Sequence, residues 1–139
     1  MKKVVADTSA LISISLSGQL GTVIENTQLL VPKVVTLEIR EMLEFKDIEG
    51  AAAKKILGWI QDKKIHLVEV KNKKTIQKLI DKNIDLGEAE CFVLAAEENI
   101  ETILIDDVNA AYYLNGLAKA KNISIKISAA AIIELINLK

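Results

Sequence analysis

Short apolar runs alternate with stretches of helical spacing along the whole chain, and this alternation restricts the fold more than any other feature. Val4 to Ala6 is short and β-branched and stops at Asp7-Thr8-Ser9, a helix-start signal, so a strand leads into a helix over about Ser9 to Ser17. Gly18 ends that helix, and a second short one fits the residues up to Glu25. Leu29 to Val31 reads as a buried strand, and Pro32, the only proline, suits the first turn of a helix over Val34 to Leu43. A further helix fits Ile48 to Asp62, an alternating edge strand Ile65 to Val70, and a helix Lys73 to Asp81 with Ile76, Leu79 and Ile80 at helical spacing. After a loop, Gly87 to Glu98 is helical and apolar on most sides, as a helix sandwiched against a sheet must be. Strands at Thr102 to Ile105 and Ile123 to Ile127, with helices at Ala110 to Ala120 and Ser128 to Leu138, complete the pattern. Such alternation implies parallel pairing with right-handed crossovers, hence a Rossmann-like three-layer α/β/α sandwich with a mainly parallel central sheet. With no linker, repeat or low-complexity tract, residues 1–139 are expected to form a single domain.

No apolar run approaches the roughly 18 residues that a membrane helix needs, and Asp7 interrupts the N-terminus before a signal-peptide core can form. No membrane contact and a cytoplasmic location are expected. Cys91 is the only cysteine and His66 the only histidine, so any metal site must be built from oxygen ligands, which suits Mg²⁺ or Mn²⁺. The net charge of −1 hides a strong asymmetry. Ten lysines face five acids between Lys46 and Lys82, whereas Asp85 to Asp107 holds eight acids and no base. A basic surface beside an acidic pocket is what a metal-dependent nuclease needs, with Lys54, Lys55, Lys73 and Lys74 as candidate phosphate contacts. A solvated lysine face on surface helices accounts for the same residues without function.

In parallel sheets the chemistry gathers outside the carboxyl ends of the strands, where the strand order reverses. Asp7 ends the first strand and Asp106-Asp107 end a later one, so the two acidic groups share a crevice if those strands are neighbours. Crowded carboxylates raise one another's pKa unless a divalent cation neutralises them. Each acid also has a local reading. Asp7 can cap the helix that follows it, Glu38 can pair with Arg40, Asp106-Asp107 can form a turn and cap, and Asp85 to Glu88 has the spacing of a capping box. Glu90 lies about 200° round the helix from Glu88 and is not expected to share its site.

Together these positions resemble a known family. Val-Val-Ala-Asp7-Thr8-Ser9, Val31-Pro32 leading to Thr-Leu-Glu38-Ile, Leu-Gly87-Glu88-Ala-Glu90, and Leu-Ile-Asp106-Asp107 are similar, in that order, to the PIN-domain family, including VapC-like ribonucleases and stand-alone archaeal-type proteins. The resemblance implies a Mg²⁺- or Mn²⁺-dependent endoribonuclease acting on single-stranded RNA. It implies Asp7, Glu38, Glu88 and Asp107 as catalytic acids, Asp7, Glu88, Asp106 and Asp107 as metal ligands, and Ser9 as support for the first acid. It also implies a homodimer and leaves open an antitoxin protein as partner. Ile105 stands where relatives often carry Thr, and Ala110-Ala111 where they often carry Ala-Arg. A degenerate PIN module that binds RNA or protein without cutting is therefore the alternative. A receiver-like signalling domain fits poorly, because its acid pair follows the first strand and here the pair is late.

Remaining candidates are weaker. His66, in an edge strand, reads as structural, and Cys91 as a small buried hydrophobe. Trp59 and Tyr112-Tyr113 can stack bases, although Trp59 shares a helix with Ile56, Leu57 and Ile60, which suits core or an interface.

Overall fold

The computed structural model describes residues 1–137. The strands are β1 (Lys2–Ala6), β2 (Thr27–Pro32), β3 (Ile65–Val68), β4 (Thr102–Leu104) and β5 (Ser124–Lys126). The helices are α1 (Thr8–Leu16), α2 (Leu20–Asn26), α3 (Lys33–Glu41), α4 (Ile48–Gln61), α5 (Lys73–Asp81), α6 (Leu86–Glu97), α7 (Val108–Ala120) and α8 (Ser128–Asn137), with a 3-10 turn at Met42–Glu44. Leu138, expected in the last helix, lies outside the described residues.

The sheet runs β3-β2-β1-β4-β5, and every pair is parallel. This is the three-layer α/β/α architecture anticipated from the alternation of elements. The chain moves outward from β1 to β3 on one side and returns to β4 and β5 on the other, so the order reverses between β1 and β4. Val4, Val5 and Ala6 pair with Thr102, Ile103 and Leu104, and the Asp7 N–H donates to the Leu104 carbonyl at 3.1 Å. That last bond carries the pairing one residue past β1, so Asp7 and the residues after β4 leave the sheet side by side.

The core follows from β-branched and aliphatic residues on the central strands. Val5, Leu29, Ile103 and Leu104 are almost wholly buried, and α6 packs on β1, β2 and β4 with Cys91, Phe92, Val93, Leu94 and Ala95 inside. Burial on nearly all sides explains why α6 lacks a polar stripe. The Cys91 thiol lies 3.6 Å from the Ala6 carbonyl, and burial together with nearby acids pushes its pKa well up, which suits an inert core thiol.

Pro32 departs from its expected place in the first turn of a helix: it closes β2, paired with Val68, and occupies the N-cap position of α3. A fixed φ of −76° is compatible with extended backbone, and the missing N–H costs little at a strand end. Gly50, in the first turn of α4, sits against the backbone of Phe45, where any side chain would collide with the Phe45 carbonyl. This contact holds the start of α4, with Glu49, beside the ends of α1 and α3.

Candidate metal centre and nucleic-acid interface

At the carboxyl end of the sheet a cavity of about 490 Å³ opens at the reversal point. Its acidic lining comes from Asp7, Glu38, Asp85, Glu88 and Asp107, with the exposed Glu49 at its edge. Four of these were expected from sequence. The fold gathers them from four separate segments: Asp7 after β1, Glu38 on α3, Glu88 on α6 and Asp107 after β4.

Asp7 is only 4 % exposed. Its Oδ1 accepts the Ala10 N–H at 2.8 Å, and the Ser9 hydroxyl lies 3.0 and 3.2 Å from its two oxygens. Asp7 therefore does cap α1, and the Ser9 hydroxyl donates to its carboxylate. Asp107 likewise caps α7, with Oδ1 accepting the N–H groups of Asn109 and Ala110 at 3.0 and 3.2 Å. In both residues the cap bonds fall on one oxygen, which fixes the carboxylate and leaves the other oxygen free of backbone partners. Capping and ligation are thus compatible roles.

Glu88 Oε2 and Glu38 Oε1 are buried without any hydrogen-bond partner. The Thr8 hydroxyl stands close enough to Glu38 to offset part of its pKa rise, yet no well-formed bond closes, and Thr8 Oγ1 is itself unpartnered. Neither local alternative forms: Glu38 makes no ion pair with Arg40, and the Asp85 side chain makes no cap bond to α6. Asp85 instead supplies the largest like-charge repulsion felt by both Glu38 and Glu88. It lines the cavity although the sequence offered it only a place in a capping box.

Asp106, expected as a ligand beside Asp107, does not line this cavity. Its Oδ1 accepts the Ser128 N–H at 2.6 Å and its Oδ2 the Ser128 hydroxyl at 2.7 Å, so both oxygens are committed to the start of α8. Its charge still reaches Asp7 and raises that pKa. Glu90 is likewise apart, set toward the Val34 N–H and Lys73, as the helical wheel required. Lys54, Lys55, Lys73 and Lys74 are exposed, and none lines the acidic cavity. His66 and Trp59 line a different cavity that also includes Met1, Glu25 and Lys63.

Burial, followed by mutual repulsion, sets the electrostatics. Asp7 is raised to about 6 by desolvation, against the lowering effect of its two hydrogen bonds. Glu38 and Glu88 are each raised to about 7, by desolvation first and then by Asp85 and Asp7. The unfolded chain gives up these protons near pH 4, whereas the folded chain keeps them to pH 6 or 7. Between those limits the folded state binds more protons, so its stability falls as pH rises. In chelator the melting temperature should therefore be higher at pH 5 than at pH 8, by roughly 5 °C. Mn²⁺ should restore most of that loss at pH 8 and little at pH 5, since ligands must be ionised. A melting curve in chelator that rises steadily from pH 5 to pH 8 contradicts this account.

As the side chains lie, no three acids, cysteines or histidines among the described residues stand close enough to clasp an ion. The acids are spread round the cavity wall, as repulsion favours. Their fit to a divalent cation rests on the donor set: oxygen only, several charges, and two buried oxygens with no other partner.

A family profile described as DUF3368, PIN domain, matches residues 3–134. The chain belongs to the PIN-domain family. In fold, this PIN domain is similar to the crystal structure of PAE2754 from Pyrobaculum aerophilum, with a TM-score of 0.64 at 15 % identity over 98 % of this chain and 90 % of that one. It is also similar to VapBC2 from Rickettsia felis bound to a DNA fragment from their promoter, with a TM-score of 0.55 at 12 % identity over 90 % of this chain and 98 % of that one. A search of curated proteins found no match. No helix of the described residues is long and apolar enough to cross a membrane.

Proposed function

We propose that this PIN domain is a Mg²⁺- or Mn²⁺-dependent endoribonuclease that hydrolyses single-stranded RNA. The observation that carries the reading is the meeting of Asp7, Glu38, Glu88 and Asp107 on one cavity, with one carboxylate oxygen each of Glu38 and Glu88 buried without a hydrogen-bond partner. Burying such oxygens without a partner is costly, and a divalent cation is the partner that several acids can share. Asp7, Glu88 and Asp107 would hold the ion, the first and last of them oriented by their cap bonds. When bound, the ion polarises a phosphodiester oxygen and lowers the pKa of a water molecule.

Glu38 lines the same cavity and takes the proton of the attacking water, a role for which a pKa near neutrality suits it. The water oxygen bonds to phosphorus as the P–O3′ bond breaks; the leaving O3′ takes a proton from solvent and Glu38 gives its own back to solvent, leaving a 3′-hydroxyl and a 5′-phosphate. No nucleophilic side chain is needed, in keeping with the burial of Cys91.

The toxin role in a toxin-antitoxin pair, and a cytoplasmic place of action, belong to the same proposal; the first draws support from the fold likeness to VapBC2. An antitoxin reading frame beside the gene would strengthen them. Self-association keeps support in the exposed Val108 and Tyr112 of α7, while Trp59 is partly buried against the core.

The test is cleavage of a labelled single-stranded RNA by purified protein with Mn²⁺. Chelator should abolish cutting, and the products should carry 5′-phosphates. RNA that binds and stays intact with Mg²⁺ or Mn²⁺ would replace this reading with the non-cutting module.

A further inference from the structure

A second cavity, of about 230 Å³, abuts the acidic one and shares Asp85, Glu88 and Asp107 with it. Its other walls differ in chemistry: Lys82 and Asn83 on one side, Asn109 and Tyr113 on the other. We infer that this annex binds the nucleotide next to the scissile phosphate of single-stranded RNA and reads its base. The inference rests on the ribonuclease reading for the identity of the substrate.

The walls are built from rigid parts. Lys82 and Asn83 lie on the turn that ends α5, where the N–H groups of Lys82 and Ile84 both donate to the Leu79 carbonyl at 3.1 Å and that of Asn83 to Ile80 at 2.9 Å. Asn83 takes a φ of 67°, a left-handed conformation that Asn tolerates better than most residues. The opposite wall is the first two turns of α7. Asn109 and Tyr113 are four residues apart and so project on the same face, and the Asp107 cap fixes the start of that helix.

Each side chain matches one part of a nucleotide. Tyr113 is 41 % exposed and lines the annex, which makes it the candidate on which a base would stack. The amides of Asn83 and Asn109 each offer donors and an acceptor to a base edge or a ribose hydroxyl. Among the described residues Lys82 is the one lysine that lines either of these two cavities, and it offsets the acids where a flanking phosphate passes. At about 230 Å³ the space has room for one base.

The test uses fluorescein-labelled octaribonucleotides U8, A8 and C8, with U8 also in deoxy form. Binding is read by anisotropy in an Asp7→Asn background, and cleavage is read in parallel with the unmodified site. Tyr113→Ala should weaken binding of the preferred octamer about tenfold, level the differences among bases, and raise KM more than it lowers kcat. Lys82→Gln should reduce the slope of log affinity against log salt by about 0.7, the value for one phosphate on a single strand. Unchanged affinity, base preference and salt slope in both variants would overturn the annex and leave the ribonuclease reading intact. Equal binding of the deoxy octamer would remove the ribose contact and with it the assignment to RNA. Annex-dependent binding without any cleavage would instead sink the ribonuclease reading and keep the annex.

Discussion

Asp7→Asn should lower Mn²⁺-supported RNA cleavage by about a hundredfold or more, equivalent to about 2.7 kcal/mol of transition-state stabilisation, while leaving the protein more stable in chelator at pH 8. These opposite signs follow from the two roles of one side chain. As a cap, Asp7 needs only an oxygen facing the Ala10 N–H, and Asn supplies one; the two residues are equivalent caps. As a charge, Asp7 is costly when ionised, because it is buried and faces Asp106 and Asp107. The amide removes that cost and with it the ligand. Asp7→Ala makes the contrast, since it loses the cap as well and should lower stability by about 1 kcal/mol at a pH where Asp7 would be protonated. Steady-state cleavage and thermal melts of both variants separate the roles. Loss of activity accompanied by an equal loss of stability in Asp7→Asn would mean that Asp7 acts only through the fold.

Much of the fold was legible because β-branched runs bounded by acids, Gly or Pro have few alternatives. Strand order was not, and the site depended on it. Asp7 and Asp107 share a crevice only because β1 and β4 are neighbours, a tertiary fact that no local pattern encodes. Adjacent acids were harder still. Asp106 and Asp107 follow the same strand, and what commits Asp106 elsewhere is Ser128, 22 residues downstream. Asp85 was hidden by a plausible local motif: its spacing from Glu88 matches a capping box, but the side chain makes no cap bond and acts on Glu38 and Glu88 through charge. The lysines are a separate case. Their density along the chain between Lys46 and Lys82 is real, yet Lys54, Lys55, Lys73 and Lys74 lie outside the acidic cavity, and Lys82, at the end of that stretch, is the one that adjoins it.

Gly87→Ala should impair the site about tenfold or more while leaving the fold intact. A Cβ at position 87 would lie 2.6 Å from Glu38 Oε1, closer than real Cβ contacts come, and 3.6 Å from the Glu38 carboxyl carbon. The obstacle is the end of a flexible side chain, so α6 and α3 need not separate; Glu38 simply has to swing. Alanine also favours a helix over glycine by up to about 1 kcal/mol, so the melting temperature should hold or rise. What is lost is the position of a carboxylate on the cavity that Asp7 and Glu88 also line, and catalysis is sensitive to displacements of that size. Glycine at 87 is therefore explained by close approach of α6 to Glu38, and by no need of the backbone, since it has no left-handed φ. A double-mutant cycle decides the point. In a Glu38→Ala background nothing remains for the new methyl to strike, and Gly87→Ala should there cost little further activity. Independent, additive losses from the two substitutions would show that Gly87 acts through some other contact, and a large fall in melting temperature would show that the helices themselves had moved.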